Sequence, residues 1–565
     1  MSVDEQQPVK TYTFSTLMKP LTNLVHKLQY ILNDKNHRKY INKWEIDVIS
    51  AENRHPQQHS SRALKVSREN QINFPPGSSC SITHYRSLVC TKDTTERSFG
   101  ELGLVVFLLF MILCLLNFAV VQMVSKPTDH SPGKIKAGKD QHSTTCSDPC
   151  RFVLAESVPD GLVYGENATE YQSIYNSWLN LIKMANRSLD IASFYWTLTG
   201  SDINVTDPTS KYGEIILEEL GKLPLKSVSV RIVSSSMKFP HQFSTDLEIL
   251  KEKGIHVRKV DFQKLTSGVL HSKQWIVDNK HVYIGSANMD WRALTQVKEL
   301  GAVIYNCSCL AKDFAKIFEA YWSLGLPNAT IPTPWPSSYS TKFNKETPLD
   351  VNLNGTAAKT YFSSSPPKMC PKGRTTDLDA ILSGINAAKQ FLYISVMEYF
   401  PTSRFLEHVL YWPPIDDSLR RAAIERHVCI RLLVGYWKHS DKSMLAYLQS
   451  LQALRNIKKV HFDVKLFIVP IGKFSNIPYA RISHSKYFVT ENIAYIGTSN
   501  WSFDYFTSTT GVGVIINQTS RAKEEANNTV HHQLKTLFQR DWNSNYSRTL
   551  NDFKDPVLCT NNGLK

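Results

Sequence analysis

No His, Cys and Asp spacing in this 565-residue sequence matches a catalytic metal site, so no metal or cofactor is expected and the chemistry has to come from side chains alone. Residues 1–102 lack sustained apolar periodicity, which argues against a packed domain there. Within them only LTNLVHKLQYIL (21–32) has the pattern of a short amphipathic helix, and Tyr85 to Leu88 fits the tyrosine-x-x-apolar pattern read by endocytic adaptors. Residues 103–124 lack any charge. At about 1.5 Å per residue that stretch spans a hydrocarbon core of roughly 30 Å, so it reads as a single transmembrane helix. A hundred residues precede it, which makes it a poor candidate for a cleaved signal peptide and favours a signal anchor.

Basic residues close to this segment do not orient it: Arg86, Lys92 and Arg97 stand before it, and Lys126, Lys134, Lys136 and Lys139 after it. Glycosylation sequons do. None precedes the helix, whereas Asn167, Asn186, Asn204, Asn306, Asn328, Asn354, Asn517, Asn527 and Asn545 all begin N-x-S/T beyond it. Asn500 also matches, but it lies inside a motif described below and is expected to stay bare. Seven of the ten cysteines lie on the same side (Cys146, Cys150, Cys307, Cys309, Cys370, Cys429 and Cys559), enough for three disulfides and one free thiol in an oxidising lumen. The expected organisation is a cytosolic tail (1–102), a transmembrane helix (103–124), a luminal linker open to proteolysis (125–145) and two lobes (146–340 and 341–565).

The lobes are organised around a repeated stretch. His271-Ser-Lys-Gln-Trp-Ile-Val-Asp278 leads to Gly-Ser-Ala-Asn288, and His484-Ser-Lys-Tyr-Phe-Val-Thr-Glu491 leads to Gly-Thr-Ser-Asn500. Each copy reads as a β-hairpin on which alternation puts His271 beside Lys273 and His484 beside Lys486. Two such pairs suit a phosphodiester. One imidazole attacks phosphorus, the other protonates the leaving oxygen and then activates water, and the lysines neutralise phosphate oxygens. Asp278 and Glu491 are the carboxylates expected to fix the ring tautomers, and Asn288 and Asn500 are expected to add hydrogen bonds to the phosphate.

These motifs resemble the duplicated H-x-K-x4-D signature of the phospholipase D superfamily. The stretch from about Cys146 to about Tyr546, with VPDGLVY, SPPKMCP and YWPPIDDSLRRAAIERHV, is similar to its membrane-anchored lysosomal exonuclease subgroup. The resemblance implies a luminal 5′–3′ exonuclease on single-stranded DNA and RNA, working through a phosphohistidine on His271 with His484 as acid and base. It also implies residence in the endoplasmic reticulum, Golgi and late endosome or lysosome. The disulfides it implies are Cys146–Cys309, Cys150–Cys307 and Cys370–Cys559, leaving Cys429 free. One alternative is a transphosphatidylase acting on phosphatidylglycerol-type phospholipid; another is a catalytically silent luminal binding protein. The partners expected are therefore single-stranded nucleic acid, phospholipid, the membrane and a second copy of the chain as a homodimer.

The fold class expected is α/β, with two pseudo-symmetric lobes, each a mixed sheet flanked by helices. Helix and strand segments recur in the same order in each half, from YQSIYNSWLNLIKMA and SLDIASFYW to DLDAILSGINAAK and FLYISVMEYF. The Pro- and Ser-rich residues 327–372 read as the connection between lobes. A net charge of +15 favours anionic partners. Tyr195, Trp196, Tyr399, Trp501, Phe503 and Tyr505, near the motifs, are candidate platforms for base stacking.

Overall fold

Two sheets of matching strand order carry the two motifs. The first half supplies β1 (Arg151–Ser157), β2 (Gln172–Ser173), β3 (Ser188–Ser193), a short β4 (Trp196–Thr197), β5 (Ser229–Ser235), β6 (His256–Val260), β7 (Gln274–Val277), β8 (His281–Gly285), β9 (Met289–Asp290) and β10 (Glu299–Tyr305). Eight of these form one sheet in the order β2-β1-β10-β8-β7-β3-β5-β6, while β4 and β9 pair separately. The second half supplies β11 (Leu349–Leu353), β12 (Thr356–Ser365), β13 (Thr375–Thr376), β14 (Phe391–Val396), β15 (Cys429–Gly435), β16 (Phe462–Phe467), β17 (Lys486–Thr490), β18 (Ile493–Gly497), β19 (Gly511–Gln518) and β20 (Ser547–Thr549). Its order, β11-β12-β19-β18-β17-β14-β15-β16-β20, with β13 beside β12 as β2 is beside β1, repeats the first with one strand added at each edge.

Helices cover both sheets because each strand alternates apolar residues on two buried faces. In the first half they are α1 (Ile174–Met184), α2 (Lys211–Lys222), α3 (Asp246–Glu252), α4 (Phe262–Thr266), α5 (Trp291–Thr295) and α6 (Ser308–Leu324). The second half has α7 (Asp377–Ala387), α8 (Pro414–Ile424), α9 (Met444–Gln452), α10 (Phe503–Thr507) and α11 (Val530–Trp542). One core joins α1, α2 and α3 to the outer face of the first sheet around Trp178, Ile191 and Trp275. Another joins α7, α8 and α9 to the outer face of the second around Ile381, Leu419 and Leu448. Between the sheets, α6 and α11 share the largest core, in which Phe314 and Phe318 meet the same cluster as Leu534 and Phe538. The architecture is the expected mixed α/β, in five layers.

This computed structural model describes residues 145–236, 244–519 and 528–553, all within one compact unit. The apolar segment 103–124, the tail, nearly all of the linker, Asn527 and Cys559 lie outside the described residues, and with Cys559 so does the Cys370–Cys559 pairing. Among the described residues no helix is long and apolar enough to cross a membrane. The pairs Cys146–Cys309 and Cys150–Cys307 are formed, tying the entry of β1 to the start of α6.

Two expectations are corrected here. Residues 327–372 are only in part a connection, because β11 and β12 occupy 349–365 as a hairpin in the second sheet. Asn354 and Gly355 turn it, both with positive φ (54° and 84°), as a two-residue type I′ turn requires. Asn354 is also a poor glycan acceptor. Its Nδ2 donates to the Phe152 carbonyl (3.0 Å) and its Oδ1 accepts from the Phe152 N–H (2.8 Å), so a sugar there would break the turn from β1. Asn167, Asn186, Asn204, Asn328, Asn517 and Asn545 are exposed, and Asn306 is half-buried.

Candidate active site

Each motif hairpin presents its histidine just before its first strand and its asparagine just after its second. Asp278 and Asn279 make the first turn with φ of 52° and 50°. That turn lies at the other end of β7 from His271, so the expectation that Asp278 and Glu491 orient the imidazoles fails. Seven residues of extended chain separate them by roughly 20 Å. Asp278 instead accepts from the backbone N–H groups of Asn186 (3.0 Å), Arg187 (2.8 Å) and Ser188 (2.8 Å), pinning the start of β3. Glu491 does the same for Lys389 (2.9 Å) and Gln390 (3.3 Å) ahead of β14.

The histidines meet because each half reaches into the other. His484 N–H donates to the Lys298 carbonyl (2.8 Å), and Lys298 N–H to the Ile482 carbonyl (2.9 Å). At the equivalent place in the other half, Thr510 N–H donates to Val269 (3.0 Å), and His271 N–H to Thr510 Oγ1 (3.2 Å). His271 and His484 therefore line one cavity of about 240 Å³, together with Asn288, Asn500, Tyr195 and Tyr505. Lys273 and Lys486 do not reach its lining. Each is buried and donates to the carbonyl of its own histidine, Lys273 to His271 (2.6 Å) and Lys486 to His484 (2.5 Å).

The two imidazoles differ in their partners. His484 Nδ1 sits 2.9 Å from both carboxylate oxygens of Glu299, and Ser286 Oγ donates to the same carboxylate at 2.5 Å. His271 packs between the rings of Phe194 (centroids 5.2 Å apart) and Tyr505 (5.0 Å), and among the described residues no carboxylate meets its buried Nδ1, the Thr498 backbone being its one hydrogen-bonding influence. The repeat explains the asymmetry. Aligning Asn288 with Asn500 places Gly511 opposite Glu299. A Cβ at Gly511 would lie 2.1 Å from Ser499 Oγ and 2.8 Å from Ser365 Oγ, so no carboxylate fits there. Glu299 escaped sequence reasoning because it is one acid at the head of an apolar strand with no counterpart in the second copy.

Burial dominates the electrostatics. It pushes His271 well below the usual imidazole value, helped by Lys273, Lys486 and His484. His484 is also lowered by burial, but Glu299 opposes the shift. Lys273 is driven well below its ordinary range by burial and by Lys486. Burial brings Lys486 down to about 7, against the pull of Glu299 and Glu398. Burial and mutual repulsion thus disfavour the charged forms of these four groups, and an anion entering the cavity would favour them again.

Of the rings expected to stack bases, Trp196, Tyr399 and Trp501 are core residues, 3%, 1% and 1% exposed. Phe503 packs edge-on against Trp412 (6.1 Å) outside the cavity lining. Tyr195 and Tyr505 do face the cavity, where Tyr195 donates to Asp290 (3.0 Å). Phe194, Trp437 and Tyr479 line it as well. Sequence reasoning missed them for different reasons: Phe194 and Tyr479 stand close to residues it singled out but carry no pattern of their own, and Trp437 lies far from either motif in the chain.

Two H-x-K hairpins converging on one cavity define the site of a phospholipase D-like protein. The family model described as PLD3/4, PLD-like domain matches residues 165–472. This chain belongs to that family. It is 51% identical over 453 residues to a Xenopus laevis protein named 5′-3′ exonuclease PLD3, covering 80% of this chain and 90% of that one. It is 50% identical over 423 residues to the Homo sapiens protein of the same name, covering 74% and 85%. A Mus musculus protein named 5′-3′ exonuclease PLD4 is 49% identical over 405 residues, covering 72% and 80%.

Proposed function

We propose that this chain is a 5′–3′ exonuclease that hydrolyses single-stranded DNA and RNA through a phosphohistidine. The observation that carries the reading is the unequal pair of imidazoles in one cavity. His271, held neutral by burial and without a carboxylate, is suited to attack phosphorus through Nε2. His484, with Glu299 on Nδ1, is suited to carry the proton. As the nitrogen–phosphorus bond forms, the bond to the leaving oxygen breaks and His484 gives that oxygen its proton. Neutral His484 then takes a proton from water, whose oxygen attacks phosphorus and frees His271. Asn288 and Asn500 contact the phosphate oxygens in this reading, Lys273 and Lys486 act on them only by charge from behind the cavity lining, and no cofactor takes part.

The full-length protein should shorten a single-stranded oligonucleotide stepwise from its 5′ end near pH 5. His271→Ala and His484→Ala should each abolish the loss. Absence of any shortening by folded wild-type protein would sink the reading. Peptides recovered under alkaline denaturing conditions, which spare the acid-labile nitrogen–phosphorus bond, should carry the trapped phosphoryl group on His271 and not on His484. The placement we propose is a type II anchor at 103–124 with tail 1–102 in the cytosol, and linker 125–145 and both lobes (146–340, 341–565) in a lumen, supported by the one-sided sequons and cysteines; that this lumen is endolysosomal is what the family resemblance implies. Enzymatic removal of N-glycans should lower the apparent mass; an unchanged mass would contradict that placement.

A second reading, exchange on phospholipid headgroups, draws support from one surface feature. Phe405, Leu406, Val409, Leu410 and Tyr411 are between 47% and 75% exposed, and Phe405 packs on Tyr505 (6.1 Å) at the side of the cavity. An apolar rim of that kind suits contact with a bilayer.

A further inference from the structure

A second cavity adjoins the first. It has a volume of about 440 Å³, within the range of roughly 300–1,000 Å³ common for small-ligand sites. Trp437 lines both cavities, so the two are neighbours across one ring. Ile468, Val469, Phe474 and Ile477 make it apolar, and Lys438 and Arg481 bring positive charge.

Between the cavities stands a cluster of three rings. The Tyr479 ring stacks on His439 (centroids 5.0 Å apart, planes at 21°), and Trp437 meets His439 edge-on at 4.7 Å. Tyr479 also lines the catalytic cavity, yet it is 64% exposed. Its backbone is strained: φ is 52° at Tyr479 and 61° at Arg481, conformations that bulky L-residues rarely adopt. Arg481 holds the segment in place by donating to the carbonyls of Pro470 (2.8 Å) and Asp160 (3.0 Å) and to Gln296 Oε1 (3.2 Å). Strain that fixes an exposed aromatic ring beside a reacting group is a mark of ligand contact. An acyl chain has no use for stacked ring faces, whereas a nucleobase does.

We infer that the second cavity holds the terminal nucleoside of the strand while its phosphodiester lies between His271 and His484, with the base stacked against Trp437, the ring that His439 and Tyr479 hold between the two cavities. The inference rests on the exonuclease reading and adds where the end of the strand is gripped. The cavity has room for one nucleoside, so the strand ends there and one nucleotide leaves per turnover. Lys438 supplies charge at its rim.

The test compares three single-stranded oligonucleotides on the full-length protein: unmodified, abasic at the 5′ terminus, and abasic at the fourth position. The terminal abasic residue should lower kcat/KM for the first cleavage about 5- to 150-fold, the span expected for one stacked base. The internal one should not. Trp437→Ala should bring the ratio of unmodified to terminal-abasic rates close to one, and Trp437→Phe should keep most of it. An equal penalty at both positions, or a ratio that survives Trp437→Ala, would overturn the inference while leaving the exonuclease intact. Binding of the same oligonucleotides to His271→Ala protein reads the cavity without turnover. Terminal-base dependence there supports the inference even if wild type cleaves nothing; binding indifferent to the terminal base, or no binding, overturns it. Loss of phosphatidylglycerol turnover in Trp437→Ala with the oligonucleotide ratio unchanged would assign the cavity to lipid and also overturn it.

Discussion

Glu299 is the residue on which the two histidines differ, and its effect on pH dependence has a definite sign. Activity in this reading needs His271 neutral and His484 protonated, so kcat/KM rises as His271 loses its proton and falls as His484 loses its own. Burial lowers His484 and Glu299 raises it. Glu299→Gln removes the raising influence, so the falling limb should move to lower pH and kcat/KM at a fixed pH near 6 should drop about 100-fold, within the usual reach of acid–base assistance. A pH–rate profile whose falling limb stays in place would show that Glu299 does not act through His484. Asp278 provides the contrast. Three backbone N–H donors hold its carboxyl below the usual range even against burial, so its stabilisation is present above that range and lost as pH falls through it. Asp278→Asn should cost about 1–3 kcal/mol of stability in denaturant unfolding near pH 7 and leave the pH–rate profile where it is. The H-x-K spacing was legible because alternation on a strand fixes it locally. The true partner of His484 was not, because it comes from the other half and no spacing encodes it.

Elements around the first sheet carry a buried acid pair. Asp246 at the start of α3 is fully buried and its carboxylate accepts from Leu198 N–H (2.7 Å), while Asp202 is 4% exposed nearby. Burial and the Asp202 charge push Asp246 up to about 7. A carboxyl raised on folding contributes stability that is full below its unfolded value and is lost as pH rises through the folded one. The fold should therefore be more stable near pH 5 than near pH 8, and Asp246→Asn should shrink that difference. Thermal melts across this range check it, and an identical slope in the variant would remove the pair as its cause. The strands and helices themselves were legible from apolar periodicity, including each match between halves. The β11–β12 hairpin was hidden by the Pro- and Ser-rich residues around it, although Asn354-Gly355 flanked by alternating apolar residues is a hairpin signal in its own right.

At the scale of the whole molecule, duplication was readable from two motif copies and one element order, but what joins the halves was not. Lys298, next to Glu299, is 2% exposed and pairs with Glu156 on β1 (3.2 Å) and with Asp541 on α11 (3.0 Å). Arg540 closes the network on Glu156 (2.6 Å) and Asp541 (3.0 Å), and Tyr164 OH donates to Asp541 (2.7 Å). The backbone of Lys298 also brackets the segment before His484, so this network holds the second imidazole in register with the first. Removing one member leaves buried carboxylate charge uncompensated, which typically costs about 3–5 kcal/mol. Lys298→Met should therefore lower the unfolding midpoint and abolish turnover together. If charge imbalance is the cause, adding Glu156→Gln should recover most of the lost stability, because Arg540 then balances the single carboxylate of Asp541. A double variant no more stable than Lys298→Met would mean that the lysine acts by packing alone.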